Sequence, residues 1–393
     1  MSTDAVFSSS LVDLADHHRE LRENVGRLVS KFGRRYYQDA VANDRQPTEL
    51  WRELGAAGFL GLHISETYGG GGGGLSELNI AIEETAAQGC PLLSMVIASI
   101  VAPIIAQFGA DELKSEWLPG IAAGKKKMSF AITEPDAGSN THRVATTAEN
   151  RGSGYILNGA KYWTSGIDHA EAVMVVARHG QAVDSDQRSP LSLFIVPTKT
   201  SGLTMHRIDA AVRTPEKQFT VFFDNVQLGP EALVGKPGGG LAQVFVGLNP
   251  ERISAAAINN GIARFAIQKG ADYARDRTVW KTPIGAHQGV SHPLAESYIL
   301  VQMARLMTAR AAELCDRGEN AAEAANIAKF AAADASLKAL DQAIQTHGGN
   351  GFSYEYGLAD LWFIARLHKT APVSREMILN FVAQHSLGLP KSY

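Results

Sequence analysis

Phe130-Ala-Ile-Thr-Glu-Pro-Asp-Ala-Gly-Ser-Asn140 stands where the hydrophobic period of the chain changes. Before it, from about residue 11 to 123, apolar residues recur at helical spacing. Leu11, Leu14 and Ala15 begin the pattern, and Leu50, Trp51, Leu54 and Ala57 repeat it. The alanine- and aliphatic-rich stretch from Ala81 through Ile105 predicts helices buried on most sides. After it, from about 126 to 235, the period moves towards two. Tyr155–Gly159, Ala172–Ala177, Leu191–Val196 and Phe219–Phe223 read as short strands between turn residues. Asn158-Gly159 predicts a hairpin turn, because both residues tolerate positive φ. Beyond Gly240 the helical pattern returns and lasts to about Leu387, with alanine-rich stretches at 253–275 and 320–345. The expectation is a mostly α protein with a central β domain: a helical domain over 1–125, a β domain over 126–236 and a helical domain over 237–393.

Composition narrows the function classes. Of 393 residues, 45% are hydrophobic and 20% charged, which fits a folded protein and excludes a disordered or fibrous chain. The 37 basic and 40 acidic residues leave a formal charge of −3, with no basic block to attract nucleic acid. Cys90 and Cys315 form no CxxC spacing, so neither a disulfide scaffold nor a metal centre is expected, and a reducing cytoplasm fits. Met1–Ser10 lacks the basic patch and apolar core of a signal peptide, and no stretch is long and apolar enough to span a membrane. Tyr68 is followed by six glycines, Gly69–Gly74, without the Lys-Ser/Thr of a phosphate loop. A flexible loop at a helix boundary is expected there.

Two segments carry chemistry. The first places the hydroxyls of Thr133 and Ser139 in a glycine-containing loop, where exposed N–H groups suit a ligand with carbonyl and phosphate edges. The second, Lys161-Tyr-Trp-Thr-Ser-Gly166, sets an aromatic ring beside two hydroxyls, and Trp163 could cover a flat ring or simply join the core.

These segments resemble two signatures of the acyl-CoA dehydrogenase family of flavoproteins. Tyr273-Ala-Arg-Asp-Arg277, continuing through Pro283-Ile284 to Gln288, and Gln345-Thr-His-Gly-Gly-Asn-Gly-Phe352 resemble two more, in the same order. The resemblance covers nearly the whole chain. It implies an N-terminal helical domain, a middle β-barrel-like domain and a C-terminal four-helix bundle, with FAD as cofactor. It further implies that Phe130, Ile132 and Thr133 lie at the flavin, with Thr133 on the pyrimidine edge, Trp163 near the ring and Ser165 near N5. Ser139 would touch the CoA moiety. Arg277 would neutralise the FAD pyrophosphate of a neighbouring subunit, with Gln288, Gln345, Gly348 and Gly349 completing the ADP pocket. A homodimer or homotetramer is implied.

The same resemblance raises the question of the base. Removing the α proton of an acyl thioester needs a carboxylate, and the enolate oxygen needs hydrogen-bond donors. Many family members carry that base as a Glu near the C-terminus, where this chain has Pro372, which has neither carboxylate nor N–H. A second branch, resembling the isovaleryl and long-chain enzymes, carries it on a helix. Leu248-Asn-Pro-Glu-Arg-Ile253 matches that position, with Glu251 as base and Arg252 beside it at the substrate. Asn249-Pro250-Glu251 also reads as a helix start, or Pro250 as a kink in a longer helix from Gly240. Glu376 is the competing acid, and Asp276 goes with the ADP-side motif.

The implied function is FAD-dependent dehydrogenation of an acyl-CoA, or of an acyl-carrier thioester, to the trans-2-enoyl thioester, with an electron-transfer flavoprotein as acceptor. The alternatives are a flavin oxidase or monooxygenase on the same fold, and a non-catalytic partner subunit.

Overall fold

The computed structural model describes residue 7 and residues 11–12, 15–180 and 190–391. Among the described residues, six α-helices come first: α1 (Asp16–Val29), α2 (Gly33–Ala42), α3 (Thr48–Ala56), α4 (Leu75–Ala87), α5 (Leu93–Phe108) and α6 (Asp111–Ala122). Eight strands follow: β1 (Met128–Ala131), β2 (Thr147–Asn150), β3 (Tyr155–Ser165), β4 (Ala172–His179), β5 (Leu191–Pro197), β6 (Leu203–Arg207), β7 (Gln218–Leu228) and β8 (Leu233–Val234). The chain then returns to helix, with α7 (Gly240–Asp276), α8 (Gln288–Asp316), α9 (Ala322–His347), α10 (Trp362–Leu367) and α11 (Arg375–Phe381).

Several expectations need correction. Leu14 lies outside the described residues, and Leu11 is exposed rather than core. Leu50, Trp51 and Leu54 are buried as their spacing predicts. Ala57 is exposed past the end of α3, where Gly58 at φ 79° turns the chain. Asn158-Gly159 is not a turn. It lies inside β3, whose register against β7 shifts between Leu157 and Gly159, while the β2–β3 turn is made by 151–154 with Gly152 at φ 82°. Gly159 serves a close approach, since a Cβ there would sit 2.7 Å from the Thr146 Cα. The glycine run does lie at a helix boundary, but it is held rather than slack. Gly70, Gly71, Gly72 and Gly73 each donate a backbone hydrogen bond, and a Cβ on Gly70 would meet the Ile64 carbonyl at 2.1 Å.

Two compact units divide the chain. One comprises Leu54–Gly73 and Leu93–Glu251. Its sheet runs β6-β7-β3-β2-β4-β5-β8, with β1 parallel to β4. Strand β4 is buried on both faces, which explains its unbroken apolar run. Ala172, Met174 and Val176 pack against Ile104, Trp117 and Leu118 of α5 and α6, while Val173, Val175 and Ala177 join Phe194, Val221 and Phe223 in a second core.

The other unit comprises Met1–Glu53, Gly74–Leu92 and Arg252–Tyr393. Gly261 lets α7 approach α4, because a Cβ there would lie 2.2 Å from the Glu83 carbonyl. At that crossing Glu83 Oε1 accepts from Arg305 Nε at 2.7 Å and from Arg264 at 3.1 Å, and Glu84 Oε2 accepts from Arg264 at 2.7 Å. Arg22 reaches both carboxylates at 3.3 Å. Burial alone would raise the Glu83 carboxyl, but Arg305, Arg22 and Arg264 together hold it down to about 2. This network joins α1, α4, α7 and α8.

Glu83→Gln removes the charge that three guanidinium groups, two of them buried, share, so chemical denaturation at neutral pH should show a loss of roughly 3–5 kcal/mol. The depressed carboxyl contributes stability that is full above its unfolded value of 4.5 and is lost as pH falls towards about 2. The wild type should therefore lose more stability than Glu83→Gln across that window. Equal losses would contradict the role given to the network.

Candidate functional site

The segment 130–134 and the end of β3 are joined by a buried ion pair. Lys161 is fully buried, and its Nζ donates to Glu134 Oε1 at 2.8 Å and to the Ile132 carbonyl at 3.1 Å. Glu134 also accepts from the backbone N–H groups of Ala145 at 2.6 Å and Thr146 at 3.0 Å. Burial lowers Lys161 to about 8, with Glu134 opposing that shift. The Tyr162 N–H donates to the Thr133 carbonyl at 2.8 Å, and Ser129 Oγ donates to the Ser165 carbonyl at 2.9 Å. Phe130, Ile132 and Thr133, all half-buried, are thereby brought to Trp163 and Ser165.

Within this frame Trp163 stands out. Its backbone is left-handed at φ 58°, its ring is 46% exposed, and β3 shifts register against β7 between Lys161 and Thr164. A bulky residue held there costs about 1–3 kcal/mol, the kind of strain that marks ligand sites. The simple-core reading of Trp163 is therefore set aside. Ser165 Oγ donates to Gln218 Oε1 at 2.9 Å. Ser139 is exposed on the loop between the Glu134–Ala137 bridge and Thr141. Sequence reasoning gave Lys161, Glu134 and Gln218 no role; a lysine in an otherwise alternating strand was the available signal.

In the helical unit, Tyr273 and His347 bring the two C-terminal motifs together. Their rings stack at 4.2 Å, and Asn350 Nδ2 donates to the hydroxyls of Tyr273 at 3.1 Å and Tyr356 at 3.2 Å. His347 Nδ1–H donates to the Ala343 carbonyl at 2.7 Å, and burial lowers its pKa. Arg277, just past α7, is exposed, and its guanidinium has no partner among the described residues. Gln288, Gln345, Gly348 and Gly349 are likewise exposed. Gly348 adopts φ 58° and ψ −136°, which a side chain would not tolerate. A Cβ on Gly349 would meet nothing within 4 Å, so this chain's own packing does not demand that glycine. Trp280, Phe352 and Tyr354 beside these motifs are also exposed. An unpaired cation, uncovered rings and an open glycine surface fit the ADP half of FAD.

Glu251 and Pro372 occupy different settings. Helix α7 runs unbroken from Gly240, so Pro250 lies in its interior and the helix-start reading of 249–251 fails. Glu251 is half-buried there, followed by Arg252, also half-buried. The helix-start pattern belongs instead to Ser374–Glu376. Ser374 Oγ accepts from the Met377 N–H at 3.3 Å, and Glu376 is exposed in the first turn of α11, where the helix dipole favours an acid. The loop ahead of it is anchored: buried Lys329 donates to the Val373 carbonyl, and Lys369 and Arg375 both pair with Asp334. The Val373 N–H makes no hydrogen bond among the described residues.

Comparison with known proteins extends these local features to the whole chain. The N-terminal, middle and C-terminal domain families of acyl-CoA dehydrogenases match residues 15–125, 129–226 and 238–387. Acyl-CoA dehydrogenase FadE12 of Mycobacterium tuberculosis is 51% identical over 382 residues, covering 96% of this chain and 98% of that protein. The structure of a glutaryl-CoA dehydrogenase from Mycobacterium smegmatis superposes with a TM-score of 0.90 at 26% identity, covering 100% of each chain. A glutaryl-CoA dehydrogenase from the same organism in complex with FADH2 gives 0.89 at 25% identity, covering 97% of this chain and 96% of that one.

Lys161→Met would leave the Glu134 carboxylate buried without its cation and remove the side-chain tie between the 130–134 segment and β3, leaving the Tyr162–Thr133 backbone hydrogen bond. Denaturant unfolding should show a loss of roughly 3–5 kcal/mol. A loss below ~1 kcal/mol, the range of an exposed pair, would remove Lys161 as the element that sets this frame.

Proposed function

Because this chain belongs to the acyl-CoA dehydrogenase family of FAD-dependent oxidoreductases, we propose that it removes one α and one β hydrogen from an acyl thioester to give the trans-2-enoyl thioester. Glu251 is the base in this reading. One observation carries it: of the two positions where the resemblance puts a base, 372 is proline and 251 is a half-buried carboxylate inside a continuous helix. Glu376, exposed and in a helix-capping setting, is the weaker candidate.

Bound FAD supplies the acceptor for the β hydrogen and its electron pair. The protein's residues do the rest. Phe130, Ile132, Thr133 and Trp163 would hold the ring system, with the Ser165 hydroxyl as the candidate partner for its reactive edge. Glu251 takes the α proton. The Val373 N–H, unused among the described residues, would be available to the thioester oxygen in place of the donor that Pro372 lacks. Ser139 would bind the CoA-side portion of the substrate, and Arg252 the substrate beside Glu251. Arg277, Gln288, Gln345, Gly348 and Gly349 of one subunit hold the ADP half of a neighbour's FAD, which makes the enzyme a homodimer or homotetramer. An electron-transfer flavoprotein is the expected oxidant. A cytoplasmic location goes with this reading; both cysteines are free, and burial raises the Cys90 thiol to about 12. No helix among the described residues is long and apolar enough to cross a membrane.

Glu251→Gln keeps size and hydrogen-bonding reach but cannot accept a proton. Anaerobic flavin reduction by acyl-CoA should slow by ~10²–10⁴-fold, with FAD content and substrate binding near normal. Collapse of the rate in Glu376→Gln, with Glu251→Gln active, would transfer the role. Arg277→Ala should purify with less FAD and melt at lower temperature, since a cofactor that binds only the folded state stabilises it by mass action. Full occupancy with unchanged melting would remove Arg277 from the cofactor site.

A further inference from the structure

Away from all these motifs, His17 and His18 in the first turn of α1 face Glu77 in the first turn of α4. His18 Nε2 lies 2.8 Å and His17 Nε2 3.6 Å from the same oxygen, Glu77 Oε1. The three atoms all lie within 4.8 Å of one another. We infer that His17, His18 and Glu77 form a binding site for a borderline divalent transition ion of the Zn²⁺ type. The ion would tie the start of α1 to the start of α4.

Three features carry this beyond a histidine–carboxylate hydrogen bond. Two of the three separations are near those of a coordination sphere: an ion about 2.0–2.1 Å from each ligand in tetrahedral geometry spaces them about 3.3 Å apart, against 2.8 and 3.6 Å from Glu77 Oε1 to the two imidazoles, while the imidazole nitrogens, within 4.8 Å of each other, would close on the ion by rotation of the exposed His17 side chain. The carboxylate is also oriented in advance. Glu77 Oε2 accepts from the Gly74 N–H at 2.7 Å, which leaves Oε1 turned to the imidazoles. The start of α4 is itself fixed, because the carboxylate of Asp316 accepts from the N–H groups of Leu75 at 2.6 Å and Ser76 at 3.0 Å. Finally, His17 is exposed, which leaves an entry path and a fourth position for water. Two imidazoles and one carboxylate select Zn²⁺, Ni²⁺ or Cu²⁺ over Mg²⁺ and Ca²⁺, which prefer all-oxygen shells.

The test is isothermal titration of the FAD-loaded, EDTA-dialysed protein with ZnCl₂ near neutral pH, with MgCl₂ in parallel. Wild type, His17→Ala and His18→Ala are compared; Glu77 is left intact because it caps α4. The wild type should bind one Zn²⁺ per chain and melt at higher temperature when it does. Each variant should bind at least ~10-fold more weakly and lose the thermal shift, with acyl-CoA turnover unchanged. Absence of saturable Zn²⁺ binding to the wild type, equal binding by both variants, or equal binding of Mg²⁺ would overturn the site.

Discussion

The buried contact between Lys161 and Glu134 sets the geometry on which the candidate site depends. Neither charge could be buried alone at tolerable cost, so the two must meet, and meeting fixes the 130–134 segment against the end of β3. Glu134 extends the constraint to the backbone of 145–146, and Lys161 extends it to the Ile132 carbonyl. The strand beyond Lys161 then leaves regular register. That departure pushes Trp163 into a left-handed backbone with its ring towards solvent.

The helical unit relies on a similar device on a larger scale. Glu83 and Glu84, deep in α4, collect guanidinium groups from α1, α7 and α8, and Gly261 supplies the close approach that makes this possible. The alanine-rich helices bring little side-chain volume to their crossings, so charge pairing adds specificity that small apolar residues do not. The outer end of the same unit is different in kind. Arg277, Trp280 and Phe352 lie exposed beside an open glycine surface, an arrangement that makes physical sense if cofactor and a second subunit cover it.

How much of this was legible depends on range. Local periodicity located β3, β4, β5 and β7, because their interiors are apolar in the chain itself. It passed over β1, β2 and β6, four or five residues each, too short for a period to declare itself. Asn158-Gly159 misled because a turn signature and a bulge signature are the same dipeptide; the crowding by Thr146 that decides between them is not local. Asn249-Pro250-Glu251 and Ser374-Arg375-Glu376 each satisfy a helix-start pattern, and only the continuity of α7 separates the interior acid from the capping one. The candidate cofactor residues were readable as motifs by resemblance. Their support, the Lys161–Glu134 pair, was not, and neither was the separate His17–Glu77 contact, since the partners in each are distant in sequence and adjacent only in the fold.

The proposed reaction removes a proton from the α carbon and a hydride from the β carbon of the bound thioester, and no oxygen enters the product. The most direct measurement is mass analysis of the product after anaerobic incubation of the FAD-loaded enzyme with an acyl-CoA deuterated at both carbons. The expected result is stoichiometric flavin bleaching and a trans-2-enoyl-CoA lacking one deuterium from each carbon. A product that carries new oxygen, or turnover that requires oxygen and leaves both carbons fully deuterated, would contradict it.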